Sequence, residues 1–524
     1  MKLKLKTSAV LIPIIVYLWT GLYGIDFGRH WDEGLLFDAI QNSINTGVWI
    51  SNMYWYPSFY YYLGSSILIP YVFKFMMMGN VNIPLPAYLA HTVASHEFLL
   101  NTRTVFLFVS SLTIIWVWQL VEVWRKNWKE SLLAACLLGL SWEVAYHGRW
   151  VATDLIMMQF GALSMLCLFV YLKQPAKVLW LVLAAAAAGL AFGTKYQGGL
   201  LFLPVLLACL ASNESAGKKN IILKAGGLFL IFGTVFLLTT PGVLFKFDAF
   251  RSDLATQYQT QTTGNFGYTA DQGAEHLSLM LTYLGLALFS KYLPIACFFT
   301  VMVLAGAFFC VKHERKQALV YLSFPLAYIL YFGFCSRVMF VRNLMVTVPF
   351  FAVLAARGTV WMGEKISSRS MRCGKVFSGI VVFMLFVNGL WLVQSALSIK
   401  QMRTPGRMER QLIQYLDRHP KTTFWFSSQV ADNIRAIDKK KRPNIVQDRS
   451  KNPDFCVFYS KEVDLDHFGL ANRFRYTEHV FGPQEVNFDY YSSWYGPNRI
   501  VVMKTQFAEP IFYQHEMSKE NGSA

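Results

Sequence analysis

Two carboxylates stand side by side in Gly28-Arg29-His30-Trp31-Asp32-Glu33-Gly34, next to Arg29 and His30. A carboxylate in such company can serve as a general base, because burial and neighbouring charge set how readily it takes a proton. The same pair could instead cap a helix over residues 35–45, since the helix dipole favours acidic residues in a first turn. A third carboxylate, Asp154, closes Tyr146-His147-Gly148-Arg149-Trp150-Val151-Ala152-Thr153-Asp154, where it could pair with Arg149, cap the next helix or join the first two. Candidate cations are Arg103, Lys195 in Gly193-Thr194-Lys195-Tyr196, and Arg337 and Arg342 in Ser336-Arg337-Val338-Met339-Phe340-Val341-Arg342-Asn343. An anionic phosphate needs such groups, with Arg offering a two-pronged fork and Lys a point charge. Cations at the ends of apolar segments also snorkel toward lipid headgroups or cap helices, so each alone is a weak signal.

The elements that must position these residues are membrane helices. Of 524 residues, 54% are apolar and only 15% charged, where a soluble globular chain carries about 25% charged residues. That deficit excludes a soluble enzyme, and the high hydrophobicity excludes a disordered chain. The net charge of +17 could suggest nucleic acid, but Lys and Arg sit mostly between apolar runs, as in cytoplasmic loops of membrane proteins, so no nucleic-acid partner is expected. Eight cysteines are scattered singly, with no metal-binding spacing, which predicts neither a disulfide framework nor a structural zinc.

A bilayer crossing takes about 20 apolar residues in a helix. Eleven segments qualify: about 8–25, 104–124, 131–147, 155–172, 177–193, 196–212, 225–241, 292–311, 318–335, 340–357 and 376–397. The first lacks a small-residue cleavage site and reads as an uncleaved helix with a cytoplasmic amino terminus. A further apolar stretch, 57–78, is interrupted by Pro57, Pro70 and Lys74. If it lies along the outer surface, the short basic stretches 124–129, 173–177, 218–224, 312–316 and 357–375 all face inward, as the positive-inside tendency requires. Asp32, Asp154, Arg103, Lys195, Arg337 and Arg342 then gather on the outer side, and this convergence favours chemistry over scattered caps. The expected organisation is an α-helical polytopic membrane domain over 1–399, with outer segments 26–103 and 242–291, and an outer α/β domain over 400–524. In the latter, 408–416 reads as a helix and 422–426, 456–459 and 499–503 as strands. The segment 242–291 reads as a loop whose Gly264-Asn265-Phe266-Gly267-Tyr268 could hinge a lid, with amides and aromatics suited to a sugar.

The pattern resembles the GT-C superfamily of membrane glycosyltransferases. The branch it resembles holds the protein O-mannosyltransferases, the aminoarabinose-lipid A transferase and the rhizobial lipopolysaccharide galacturonosyltransferases. The matching pieces run in order: Trp31-Asp32-Glu33, Tyr56-Pro57, Arg103, Arg149 to Asp154, Gly189 to Tyr196, Gly264 to Gly267, and Arg342-Asn343 with Pro349. The resemblance implies inverting transfer of a sugar from a polyprenyl-phosphate donor to a lipid, glycan or protein acceptor on the outer face of a membrane; the lack of a disulfide framework and the short loops point to a bacterial inner membrane as host. It gives Asp32 the role of base, with Glu33 in support and Asp154 lining the same cavity. Lys195, Arg337, Arg342 and Arg103 are then expected at the donor phosphate, and His30, Arg149, Tyr196, Tyr56, Asn265 and Tyr268 around the substrates. One departure is that the aminoarabinose transferase has a Lys before its Pro-Pro step, whereas Trp55-Tyr56-Pro57-Ser58 has none, leaving Lys74 as the nearby cation. No cofactor is required, although Asp32, Glu33 and Asp154 could hold a divalent metal through oxygens. Rival classes are a transporter or flippase, and a polymerase or ligase, of lipid-linked saccharides.

Overall fold

The computed structural model describes residues 9–26, 32–79, 83–212, 218–264, 269–286, 288–402, 407–427, 443–446, 451–459, 477–481 and 500–505. They form two compact units, Met1–Ile25 with Asp32–Val393, and Asp26–Trp31 with Gln394–Ala524.

The larger unit is helical, in chain order α1 (Leu11–Tyr23), α2 (Glu33–Thr46), α3 (Phe59–Ser66), α4 (Ile69–Met77), α5 (Leu85–Val93), α6 (His96–Arg125), α7 (Trp128–Gly139), α8 (Trp142–His147), α9 (Thr153–Lys173) and α10 (Leu179–Thr194). A 3-10 turn (Tyr196–Leu201) leads into α11 (Phe202–Ala211), followed by α12 (Lys218–Thr239), α13 (Gly242–Phe245), α14 (Phe247–Thr263), α15 (Ala274–Leu286), α16 (Leu293–His313) and α17 (Arg315–Cys335). A second 3-10 turn (Val341–Thr347) precedes α18 (Val348–Arg369) and α19 (Met371–Met402).

Among the described residues, seven helical segments are long and apolar enough to cross a membrane: His96–Arg125, Thr153–Lys173, Asn220–Thr239, Leu293–His313, Arg315–Cys335, Val341–Arg369 and Met371–Leu397. The apolar helices Leu11–Tyr23, Leu179–Thr194 and Tyr196–Ala211 are shorter. The expected span over 131–147 is broken into α7 and α8, because Ser141 ends one helix and caps the next, its hydroxyl accepting from Val144 N at 3.4 Å. The stretch 57–78 forms α3 and α4, split at Ile67-Leu68, with Pro70 in the first turn of α4. No residue of α4 is buried, and Ile69, Phe73, Met76 and Met77 are each more than half exposed.

Two expected loops are helical. Residues 357–375 belong to α18 and α19, and Arg357 is buried against Glu130 at 3.0 Å instead of standing in a basic loop. Residues 242–291 hold α13, α14 and α15; the Thr and Gln run from Thr256 to Thr263 is the last half of α14, where Thr hydroxyls return to carbonyls one turn back.

Helix α9 is buried on every side, as expected of a helix apolar all round, and packs against α6 and α10. Helices α16 and α18 cross with their backbones in contact. A Cβ added at Gly358 would stand 2.0 Å from Met302 O, and one added at Gly306 would stand 2.0 Å from Leu354 O. Backbone cannot step aside as a side chain can, so Gly358→Val is expected to destabilise the bundle by about 3 kcal/mol. Thermal unfolding in detergent checks this; an unshifted midpoint would show that the helices slide apart freely.

Two sets of buried ion pairs lie toward opposite ends of α6. One includes Arg103, near the start of α6, and the other includes Arg125, at its end. Twenty-two residues of α-helix separate them by about 33 Å, close to the thickness of a hydrocarbon core. At the second level Glu130 lies between Arg357 and Arg125, Arg125 also pairs with Glu314, and Trp124 Nε1 donates to Glu314 at 2.7 Å.

In the second unit, α20 (Arg407–Arg418) accompanies a five-stranded sheet, β1 (Phe424–Phe426), β2 (Ile445–Val446), β3 (Phe455–Tyr459), β4 (Thr477–Phe481) and β5 (Ile500–Lys504), in the order β2-β1-β3-β5-β4. Strand β1 runs parallel to β2 and β3, and β5 antiparallel to β3 and β4. Leu412 and Leu416, one turn apart on α20, meet Phe424, Phe426, Val457 and Val502 in a small core.

Candidate active site

Three carboxylates and three cations meet as three pairs at the Arg103 level, and all six are at least nine-tenths buried. Glu33, in the first turn of α2, receives Arg103 Nε at 2.7 Å and Nη2 at 2.6 Å, the two-pronged geometry that Arg favours. The remaining arm, Nη1, donates to Ile25 O at 2.8 Å, and Val151 N donates to Glu33 at 3.2 Å. Asp32 occupies the cap position of α2, yet its side chain does not cap the helix; it pairs with Arg342 Nη1. Arg342 also faces two rings, its Cζ lying 4.6 Å from the centre of Phe340 and 5.8 Å from that of Trp150. Asp154 lies in the first turn of α9 and accepts from Lys195 Nζ at 2.5 Å, not from Arg149. Lys195 Nζ also donates to Asn343 Oδ1 at 2.7 Å, and Tyr328 donates to Asn343 O at 2.7 Å.

These pairs are joined through the chain itself. Asp32 precedes Glu33, Arg342 precedes Asn343, and Trp150 precedes Val151, so each pair shares a backbone step with another. Each of the three carboxylates is thus matched with one cation. Burying six charges is costly even when they are paired, and in membrane segments such groups mark function.

The other residues expected at the site, where they are described, make different contacts. Arg337 does not join Arg342: it is 38% exposed and pairs with Asp271. The chain is extended between α17 and the second 3-10 turn, and Arg337 N there donates to Gln261 O at 2.7 Å, which sets its side chain on the α14–α15 side. Arg149 is buried beside α1, where a Cβ added at Gly24 would stand 3.1 Å from its Nε. Tyr196 donates to Tyr54 O at 2.7 Å, and the rings of both lie edge-on to Phe250 of α14. Tyr54 N donates to Asp253 at 2.6 Å, so the loop before α3 is fastened to α14. Tyr56 packs edge-on to Tyr60, whose phenol is pushed up by burial and by Asp253, leaving it protonated. Lys74 is exposed on α4. His30, Asn265 and Tyr268 lie outside the described residues.

Asn343, Trp150 and Phe340, which stand in the same sequence motifs as Arg342 and Asp154, are not foreseen at the site from the sequence. Asn343 follows Arg342 directly and Phe340 stands two positions before it, which is the available signal. The site does not fit a divalent ion: its carboxylates are each taken up by a different cation, and among the described residues no three His, Cys, Asp or Glu side chains group as ligands.

Residues 84–238, which include Arg103, Asp154 and Lys195, match the family model described as dolichyl-phosphate-mannose-protein mannosyltransferase. Among solved structures, the chain is similar to the archaeal oligosaccharyltransferase AglB from Archaeoglobus fulgidus, in complex with an inhibitory peptide and a dolichol-phosphate. The TM-score is 0.51 at 12% identity, over 90% of this chain and 71% of that one. ArnT from Cupriavidus metallidurans, bound to undecaprenyl phosphate, gives a TM-score of 0.47 at 12% identity, over 96% of this chain and 99% of that one. A search of the curated proteins found no match. The family model and the first of these structures place the fold with the GT-C membrane glycosyltransferases, and the chain is an integral membrane protein.

Proposed function

We propose that this chain is an inverting glycosyltransferase that moves a sugar from a polyprenyl-phosphate donor to a hydroxyl or amine of a lipid, glycan or protein. The observation that carries the proposal is the buried layer of Asp32–Arg342, Glu33–Arg103 and Asp154–Lys195 pairs at one end of the membrane helices. Displacement at an anomeric carbon needs a base for the acceptor proton and cations for the charge growing on the departing phosphate. Asp32 takes the proton as the acceptor atom bonds to carbon, and the electron pair of the breaking carbon–oxygen bond leaves on the phosphate. Arg342 and Lys195 receive that charge; Asp154 and Asn343 position Lys195, and Glu33 with Arg103 positions the turn that carries Asp32. A lipid donor suits a site at this level, because the prenyl chain stays in hydrocarbon while its phosphate reaches the charged layer. The AglB structure, which holds a dolichol-phosphate, supports the same donor class.

The decisive experiment incubates the purified protein with a lipid-linked sugar pool extracted from membranes. Free polyprenyl phosphate and an acceptor heavier by one monosaccharide are the expected products, read by mass spectrometry. Movement of intact donor across vesicles without its cleavage would instead make the protein a transporter, and transfer of an oligosaccharide would make it a polymerase or ligase.

Two further outcomes are expected. Arg342→Ala raises the donor KM far more than Arg337→Ala does, because only Arg342 belongs to the buried layer; equal effects would return Arg337 to the phosphate site. We also place the charged layer on the outer face of a bacterial inner membrane, on the strength of the basic segments at the opposite level. A reporter fused after Ala524 is then active only outside the cytoplasm, and cytoplasmic activity would invert this topology.

A further inference from the structure

Arg342 has two claims upon it: in the structure it pairs with Asp32, and in the proposed reaction it must receive a phosphate. We infer that the donor phosphate displaces Asp32 from Arg342, so that binding of the lipid-linked donor is itself what frees the base. This rests on the glycosyltransferase reading above and deepens it.

Three features of the site support the exchange. First, the carboxylate has somewhere to go. Asp32 stands at the cap position of α2 without capping it, and a helix amino terminus offers unsatisfied N–H groups and a positive dipole end. A carboxylate released from Arg342 can turn to those N–H groups and remain compensated. Second, the guanidinium has reason to stay. Phe340 and Trp150, each less than a tenth exposed, face Arg342 with their rings, and these contacts do not depend on which anion it holds. They are positioning residues for the exchange. Third, each of the three cations already holds a carboxylate before the donor arrives. A phosphate entering the layer adds negative charge, and moving Asp32 off Arg342 is the rearrangement that gives the newcomer a cation.

A base whose oxygen is engaged by a guanidinium is poorly placed to accept a proton, so the acceptor cannot be activated until the donor is seated. The order of productive binding is thereby set as donor first.

Competition between two anions for one cation has a thermodynamic consequence: removing one of them strengthens binding of the other. The test measures binding of farnesyl phosphate to the full-length protein in detergent micelles by titration calorimetry, for the wild type and Asp32→Asn, with transfer assayed on the same samples. Asp32→Asn is expected to bind farnesyl phosphate about tenfold more tightly while transfer is lost. Loss of transfer with unchanged or weaker binding would overturn the exchange and leave Asp32 as the base. Retained transfer would overturn the base itself, and with it the exchange.

Should Asp32→Asn fail to fold, Trp150→Phe and Trp150→Leu give an independent reading. The phenyl variant keeps an aromatic face toward Arg342 and is expected to hold the donor KM near that of wild type. The leucine variant is expected to raise the donor KM about fivefold with a smaller change in kcat. Equal behaviour of the two would show that Trp150 merely fills space and would remove it from the exchange.

Discussion

Asp32→Asn is expected to lower the rate of sugar transfer by about 10^3-fold in protein that still inserts and folds. The size follows from what the substitution removes. Asparagine has the shape of aspartate and can still accept a hydrogen bond from Arg342, so the side chain at position 32 need not move. It cannot take a proton, and the acceptor must then attack without a base. Asp32→Glu separates basicity from placement. The carboxylate is kept but displaced by one methylene, and an error of about 1 Å at a reacting atom costs on the order of 10^2-fold. The expected order of rates is therefore wild type, then Asp32→Glu, then Asp32→Asn, with the thermal midpoint lowered in Asp32→Asn, which takes a carboxylate charge from buried Arg342. Initial rates with lipid-linked donor, alongside unfolding in detergent, check both halves. Full turnover in Asp32→Asn would take Asp32 out of the chemistry.

How much of this site could be read from the sequence depends on how local the signal is. Apolar runs of about 20 residues are local, and α6, α9, α16 and α17 lie where hydropathy put them. The residue types of the site are local too: Asp32, Asp154, Lys195 and Arg342 each stand at the end of an apolar segment. Their partners are not local. Asp32 and Arg342 are 310 positions apart, and Lys195 and Asn343 are 148 apart. Nothing in the spacing of Asp154 and Arg149 reveals that Asp154 turns to Lys195 instead. Arg337 and Arg342 look equivalent in a linear string, and what separates them is an extended step followed by a 3-10 turn. A sugar-binding loop and an amphiphilic helix have similar composition, so Thr256 to Thr263 read as loop although it closes α14. In the second unit the α20 helix and three of the five strands follow from pattern. The two-residue β2 is too short to leave one.

Arg103→Leu is expected to prevent accumulation of folded protein. Glu33 is 2% exposed, and with Arg103 gone its charge is left with Val151 N as a remaining donor, while Ile25 O loses the Arg103 hydrogen bond. Removing one partner of a buried pair costs about 3–5 kcal/mol, a large part of the 5–15 kcal/mol that holds a typical domain together. Arg103→Lys is a poor rescue, because a single ammonium cannot meet both carboxylate oxygens and the Ile25 carbonyl at once. The informative partner is the double variant Glu33→Gln with Arg103→Leu, in which no charge is stranded and the amide can still accept from Val151 N. Its stability should lie between those of the wild type and the single variant, measured as folded yield after detergent extraction and as thermal midpoint. Because Glu33 and Arg103 act by holding the turn that carries Asp32, the rescued double variant should also show a reduced kcat with a nearly unchanged donor KM. A single Arg103→Leu variant that folds normally would mean that the pair contributes nothing to the fold. A double variant whose donor KM rises sharply would move Arg103 from a positioning role to direct contact with the phosphate.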